Sequence, residues 1–171
     1  MKAQTARLLA AMADYDRDAA LVHHFTKVHG FAAAIGTMEG LDEETQFILE
    51  TAALVHDIGI RNAMRQYGRS DGKLQEAIGP GEAEALLRSL GGYTEEQIDR
   101  VTYLVGNHHT YTQVEGLDYQ ILIEADFLVN LHEFPERYRA ILAAEEKIFQ
   151  TTSGKRLLHS IFLRKDEKSD T

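Results

Sequence analysis

Apolar residues recur at three- and four-residue intervals along almost the whole chain, and this period constrains the fold more than any other feature. Leu8, Leu9 and Met12 fall on one side of a first helix over 2–13. Leu21, Phe25, Val28, Ala32 and Ile35 repeat the pattern from Asp18 to about Thr37, where Gly36 and Gly40 are stop signals. Alternating runs of Val, Ile and Thr, the mark of strands, are missing, and the only prolines are Pro80 and Pro135. The pattern predicts an all-α protein.

The same reading places further helices. Asp42 caps one that runs through Phe47, Ile48, Ala52 and Val55 to His56, and Ile58-Gly59 ends it. Residues 61–79, rich in Gly, Arg and polar side chains, read as a loop with one short helical turn, a natural place for substrate contacts. Pro80 and Gly81 open a short helix through Ala83, Leu86, Leu87 and Leu90 that closes at Gly91-Gly92. Thr94 and Gln97 form a capping box before Ile98, Val101, Leu104 and Val105, and that helix fades at Gly106-Asn107-His108-His109. Asp118 caps a helix carrying Ile121, Leu122, Ala125, Leu128 and Val129. Pro135 starts another, with Ile141 and Leu142, and a last short helix holds Leu157, Leu158, Ile161 and Phe162. With no repeat or linker, 1–171 reads as one domain, its core at about 18–133 and its C-terminal helices at 135–163.

Composition narrows the function classes. With 27 acidic against 18 basic residues the net charge is −9, which disfavours a nucleic-acid polymer as partner. The chain has no cysteine, so disulfides, thiolate metal sites and cysteine nucleophiles are excluded. No apolar stretch approaches the ~18 residues of a membrane span, and no signal-peptide pattern follows Met1. A cytoplasmic protein without a membrane partner is expected.

Polar residues that interrupt the apolar pattern carry the chemistry. His56 and Asp57 follow the buried-looking run Thr51-Ala-Ala-Leu-Val55, Asp126 lies inside Ala125-Asp-Phe-Leu-Val129, and His24 lies inside Leu21-Val-His-His-Phe25. An ionised carboxylate among apolar residues is costly unless paired or metal-bound. Two imidazoles and two carboxylates suit one divalent ion such as Mn, Fe, Co, Ni or Mg, with positions left for water and substrate. Each residue also has a plain alternative: a core histidine satisfied by a neighbour, as for His23 or His29, or an aspartate paired with an arginine. Without metal, burial and the nearby Asp57 charge are expected to raise the Asp126 carboxyl.

Taken together, His24-Phe-Thr-Lys-Val28, Ala52-Ala-Leu-Val-His56-Asp57-Ile-Gly59, His108-His109 and Glu124-Ala-Asp126-Phe-Leu-Val resemble the HD superfamily of metal-dependent phosphohydrolases. The likeness spans roughly His24 to Glu133. It implies a compact HD-type helical domain, with His24, His56, Asp57 and Asp126 as ligands of one divalent metal. Gly79-Pro80 stands where two-metal members often carry a further histidine, and neither a Glu-Asp pair after Asp57 nor a Gly-Tyr-Pro motif is present.

The expected activity is hydrolysis of a phosphate ester or anhydride in a small molecule, a nucleotide above all. Asp57 would orient the attacking water, and His108 or His109 would protonate the leaving oxygen, contact phosphate or bind a second metal. Alternatively one of these histidines caps its helix C-terminus. Arg61, Arg65 and Lys73 in the polar loop are candidates for phosphate binding, with a plain solvated loop as the alternative. Two other readings stay open, a non-catalytic HD-type regulatory or binding module and an HD-like metal oxygenase.

Overall fold

The fold is all-α. The structure, a computed structural model, describes residues 2–134 and 138–163, and no strand occurs among them. The helices are α1 Ala3–Asp16, α2 Ala19–Glu39, α3 Glu43–Val55, α4 Ile60–Tyr67, α5 Gly72–Leu90, α6 Glu95–Val105, α7 Leu117–Glu133, α8 Tyr138–Lys147 and α9 Thr152–Leu158. A π-helical turn at His159–Leu163 follows α9. The expected start at Pro135 lies outside the described residues. No helix among those described is long and apolar enough to cross a membrane.

Local sequence sets the helix ends. Asp18 accepts from the backbone N–H of Ala20 at 2.8 Å and so starts α2. Asp42 accepts from Glu44 and Thr45, both at 3.0 Å, and starts α3. Thr94 and Gln97 form the reciprocal capping box at the head of α6. Gly40 ends α2 in the left-handed region (φ +77°), where a side chain would be strained.

Packing follows from which helices are apolar all round. From Thr51 to Val55 every residue of α3 is buried, so the end of this helix has no solvent face, while Glu43 and Glu44 at its start are exposed. It contacts α1, α2, α6 and α7. Against it lie α2 and α7, which also pack on each other, while α5 pairs with α6. α9 closes over α2 and α7. Glu124, fully buried in α7, fixes this closure by accepting from Gln150 N at 2.6 Å, Thr151 N at 2.8 Å and the Thr151 hydroxyl at 2.5 Å. A buried carboxylate is tolerated when several donors satisfy it.

Three sequence expectations are corrected here. Residues 61–79 are not a loop: they hold α4 and the first half of α5. Pro80 does not open a helix but sits inside α5, where a proline typically costs about 3 kcal/mol in an isolated helix. The buried stripe of α5 is Gln75, Gly79, Ala83 and Leu87, at a strict four-residue spacing. Gly79 brings α5 against the turn after α3, where a Cβ on Gly59 would lie 2.9 Å from Gly79 N. Contact there and between Pro80 and Gly106 offsets the lost helical hydrogen bond. Third, Asp118 is not the cap of α7. That position is Gly116 (φ +98°), and Asp118 is instead gripped by Arg100, with Nε to Oδ2 at 2.8 Å and Nη2 to Oδ1 at 2.7 Å.

Candidate metal centre

Two helices and one turn bring the polar interruptions together. His24 comes from the first half of α2, Asp126 from the middle of α7, and His56 and Asp57 from the turn that ends α3. That turn is tightened by bonds from Ile58 N to Val55 O and from Ile60 N to Asp57 O, both at 3.0 Å. His24 Nε2 lies 3.3 Å from His56 Nε2, 3.4 Å from Asp57 Oδ2 and 3.2 Å from Asp126 Oδ1. His56 Nε2 lies 3.4 Å from Asp57 Oδ2 and 3.6 Å from Asp126 Oδ1. Donors set tetrahedrally around an ion at ~2.0–2.2 Å sit about 3.3–3.6 Å apart, so this spacing is of the size a cation at their centre needs.

The outer edges of the imidazoles are fixed. His24 Nδ1 is 2.8 Å from Glu133 Oε2. His56 Nδ1 donates to Ala53 O at 3.0 Å, and His108 Nδ1 donates to Val105 O at 2.7 Å. Each ring therefore keeps its proton outward and offers Nε2 inward, the tautomer that a metal requires. Asp126 Oδ1 and His108 Nε2 are buried without a hydrogen-bond partner. Orphaned buried polar atoms are rare and costly, and a cation would satisfy them. The buried His and Asp side chains can thus hold a metal ion. His24, His56 and Asp57 form one group of ligand atoms, and Asp57, His108 and His109 form a second. Asp57 belongs to both, with Oδ1 placed 3.3 Å from His108 Nε2.

In the absence of a cation, protons take its place. Burial opposes an imidazolium at His24, but the Asp126 carboxylate 3.2 Å away and the charge of Asp57 outweigh it and push His24 up to about 9. Burial likewise opposes charge on His56, and Asp57 and Asp126 raise it nonetheless. Burial would push Asp57 up, yet His56 and His108 hold it at about 2. The expected rise of the Asp126 carboxyl is overturned. Burial acts in that direction, but His24 and His56 outweigh it and hold the group below the usual carboxylate range.

His24, Asp57 and Asp126 form the floor of a cleft of about 350 Å³, lined also by Ala20, Leu21, Ile60, Ser70, Gln75, His109, Asn130, Glu133 and Phe134, with His56 and His108 buried behind it. His109 is clamped from α5: its Nε2 donates to Gln75 Oε1 at 2.6 Å, and its backbone N–H donates to Glu76 Oε1 at 3.0 Å. Burial, then the neighbouring His108, lower His109, so its ring is neutral at pH 7.

The structure brings His24, His56, Asp57, Asp126, His108 and His109 together and leaves three predicted residues apart. Arg61 donates to Tyr15 O and stacks over the Tyr15 ring. Arg65 and Lys73 are exposed, and none of the three lines the cleft. The sequence reading missed Glu133, Asn130, Lys27 and Gln75. A signal existed for the first two: Asn130 and Glu133 lie four and seven residues beyond Asp126, on the same face of α7. His23 does not line the cleft, and His29, buried in α2, pairs with Glu50 at 3.2 Å as a satisfied core histidine.

In comparisons with protein-family models, curated proteins and solved structures, no match to this chain was found.

Proposed function

We propose that the chain is a metal-dependent phosphohydrolase of the HD kind, cleaving a phosphate ester or anhydride in a small, nucleotide-sized molecule. One observation carries the reading. Side chains from two helices and a turn converge: His24 and His56, both buried, each lie 3.2–3.6 Å from half-buried Asp57 and buried Asp126, and His24, Asp57 and Asp126 face an open cleft. The facing imidazole nitrogens and carboxylate oxygens call for positive charge between them, which a metal ion would supply. When bound, a divalent ion supplies charge stabilisation at a phosphoryl oxygen and a water of lowered pKa.

The chain's own residues do the rest. Asp57 has one oxygen in the metal cluster and the other facing His108, so it can hold a water in line with substrate. His109 lines the cleft as a neutral ring held by Gln75 and is suited to receive a proton. His108, buried behind Asp57, turns Nε2 to that carboxylate and can share a proton with it. Ser70 and Asn130 offer neutral donors on the cleft wall. The volume of about 350 Å³ falls within the ~300–1,000 Å³ of small-molecule pockets.

The test is a screen of purified protein, with Mn, Co, Fe and Mg added in turn, against nucleotides and generic phosphoesters. Phosphate release that needs an added metal and vanishes with chelator supports the reading. Metal uptake without turnover of any phosphoester would favour a binding module. Oxygen consumption by the iron form would favour an oxygenase.

A further inference from the structure

Three imidazoles turn Nε2 toward Asp57 or Asp126, but they are not held in the same way. His56 and His108 donate Nδ1–H to the backbone carbonyls of Ala53 and Val105, each three residues earlier in its own segment. Those acceptors are neutral and belong to the local fold. His24 alone of the three meets a side chain, with Glu133 Oε2 at 2.8 Å. The other oxygen of Glu133 accepts from Lys27 Nζ.

Helix geometry makes this arrangement. Lys27 follows His24 by three residues on α2, and Glu133 follows Asp126 by seven on α7, so each pair shares a helix face. The two helices pack directly on one another. A carboxylate accepting from the outer nitrogen of an imidazole fixes its tautomer and makes the inner nitrogen a stronger donor to a metal. A lysine on that carboxylate withdraws charge and weakens the effect.

We propose that Glu133 is a positioning residue for His24, aiming Nε2 into the cluster and setting its strength as a ligand, and that Lys27 moderates Glu133. His24 is thereby the one imidazole of the three whose donor strength is set by side chains. This rests on the reading of the cluster as a metal site, and not on the identity of the substrate.

The experiment is a Co²⁺ titration of chelator-treated protein, followed by visible absorption and by competition with a chelator. Glu133→Ala is expected to weaken Co²⁺ binding about 10–100-fold and to alter the cobalt spectrum, the range typical for a lost carboxylate partner. Glu133→Gln keeps an acceptor of the same shape without the charge, and should weaken binding less. Lys27→Met should leave binding unchanged or tighten it, because the carboxylate is then free to act on His24 alone. A residue that merely tied α7 to α2 would behave otherwise, since losing either partner of the ion pair would have the same effect. The proposal is overturned if Glu133→Ala stays within about twofold of wild type, or if Lys27→Met weakens binding as much as Glu133→Ala. A wild-type protein that takes up no Co²⁺ overturns the metal site itself and this proposal with it. Wild-type binding that Glu133→Ala leaves untouched overturns the positioning role alone.

Discussion

The two walls of the cleft are built on different principles. One wall is α2 and α7, long helices with continuous apolar faces that pack on α3 and on each other. It presents His24 and Asp126 from mid-helix, where neighbouring turns fix the backbone. The other wall is α4, the first turns of α5 and the turn at 106–110. It is held by close approaches at Gly59 and Gly79 and by polar clamps from Gln75 and Glu76 to His109 and Thr110. Burial of apolar area holds the first wall, while shape and hydrogen bonds hold the second. The first suits an ion that needs fixed ligands, and the second suits a substrate and proton transfers that need adjustment.

Removing a group from each wall, or from the turn between them, should have unequal consequences. The largest effect is expected for Asp57→Ala, which takes an oxygen from both groups of ligand atoms. Metal-dependent phosphate release should fall below detection. His108→Ala and His109→Ala should each cost about 10²–10⁴-fold, the usual contribution of a proton-transfer group. Steady-state rates at saturating metal make the comparison. Equal and total loss in all three would place His108 and His109 among the metal ligands, and a metal content of two per chain would agree.

Asp126→Asn tests the rigid wall. Metal at 100 times its dissociation constant stabilises a folded protein by about 2.7 kcal/mol, and the amide should remove most of that gain. The metal-free protein should suffer as well. His24 and His56 are raised chiefly through Asp57 and Asp126 acting against burial, so the substitution leaves a buried imidazolium short of a partner. Breaking a buried pair typically costs 3–5 kcal/mol, and about 3 kcal/mol is expected here. Thermal melts with and without Mn²⁺ measure both terms. A full metal-induced rise in Tm would exclude Asp126 as a ligand.

The difference between the walls also explains what could be read from the sequence. Leu21, Phe25, Val28, Ala32 and Ile35 repeat at helical spacing, so α2 is visible and His24 stands out within it. Asp126 stands out in α7 for the same reason. α5 hides itself because its buried stripe begins Gln75, Gly79, and only Ala83 and Leu87 carry the apolar signal. Pro80 then reads as a start, although it lies in mid-helix. The placement of Arg61 was illegible too, since a basic residue one turn after Asp57 looks available to phosphate. Only the fold shows its guanidinium held by the Tyr15 carbonyl and ring. His109 was legible as a polar residue at a helix end, but its partner Gln75 lies 34 residues away on the hidden helix.

Gly59→Ala tests the adjustable wall through shape alone. A Cβ there meets backbone on α5, with Gly79 N at 2.9 Å and Gln75 O at 3.2 Å. Backbone cannot swing aside as a side chain can, so α5 must move, and forced shifts of this kind typically cost about 1–3 kcal/mol. Gln75 would move with α5 and disturb His109. Turnover should therefore fall more than Co²⁺ binding, two of whose ligands, His24 and Asp126, sit on the other wall. Parallel loss of both would show the walls to be one mechanical unit.

The smallest effect belongs to Asp16, at the end of α1 beside this same wall. Its carboxyl is raised to about 6 by burial first, with Arg61 opposing and Asp18, Asp57 and Glu82 adding to the rise. One of its oxygens, Oδ1, is buried without a hydrogen-bond partner. An acid raised in the folded state holds its proton more tightly there than in the unfolded chain. It therefore costs nothing at pH values well below the unfolded value of ~3.9. The cost grows as pH rises from there to about 6 and is complete above it. Asp16→Asn should accordingly stabilise the protein at pH 7 by about 1 kcal/mol, after allowance for the amide's own unmet hydrogen bonds. The gain should shrink toward zero at pH ~4, near the unfolded acid's own midpoint. Urea unfolding of both proteins across that range gives the difference directly. A gain at pH 7 that persists undiminished at low pH would mean that packing, not the buried charge, separates the two proteins. A loss at pH 7 would mean that Asp16 is held by Arg61 as a working ion pair, and this wall would then be braced by charge as well as by shape.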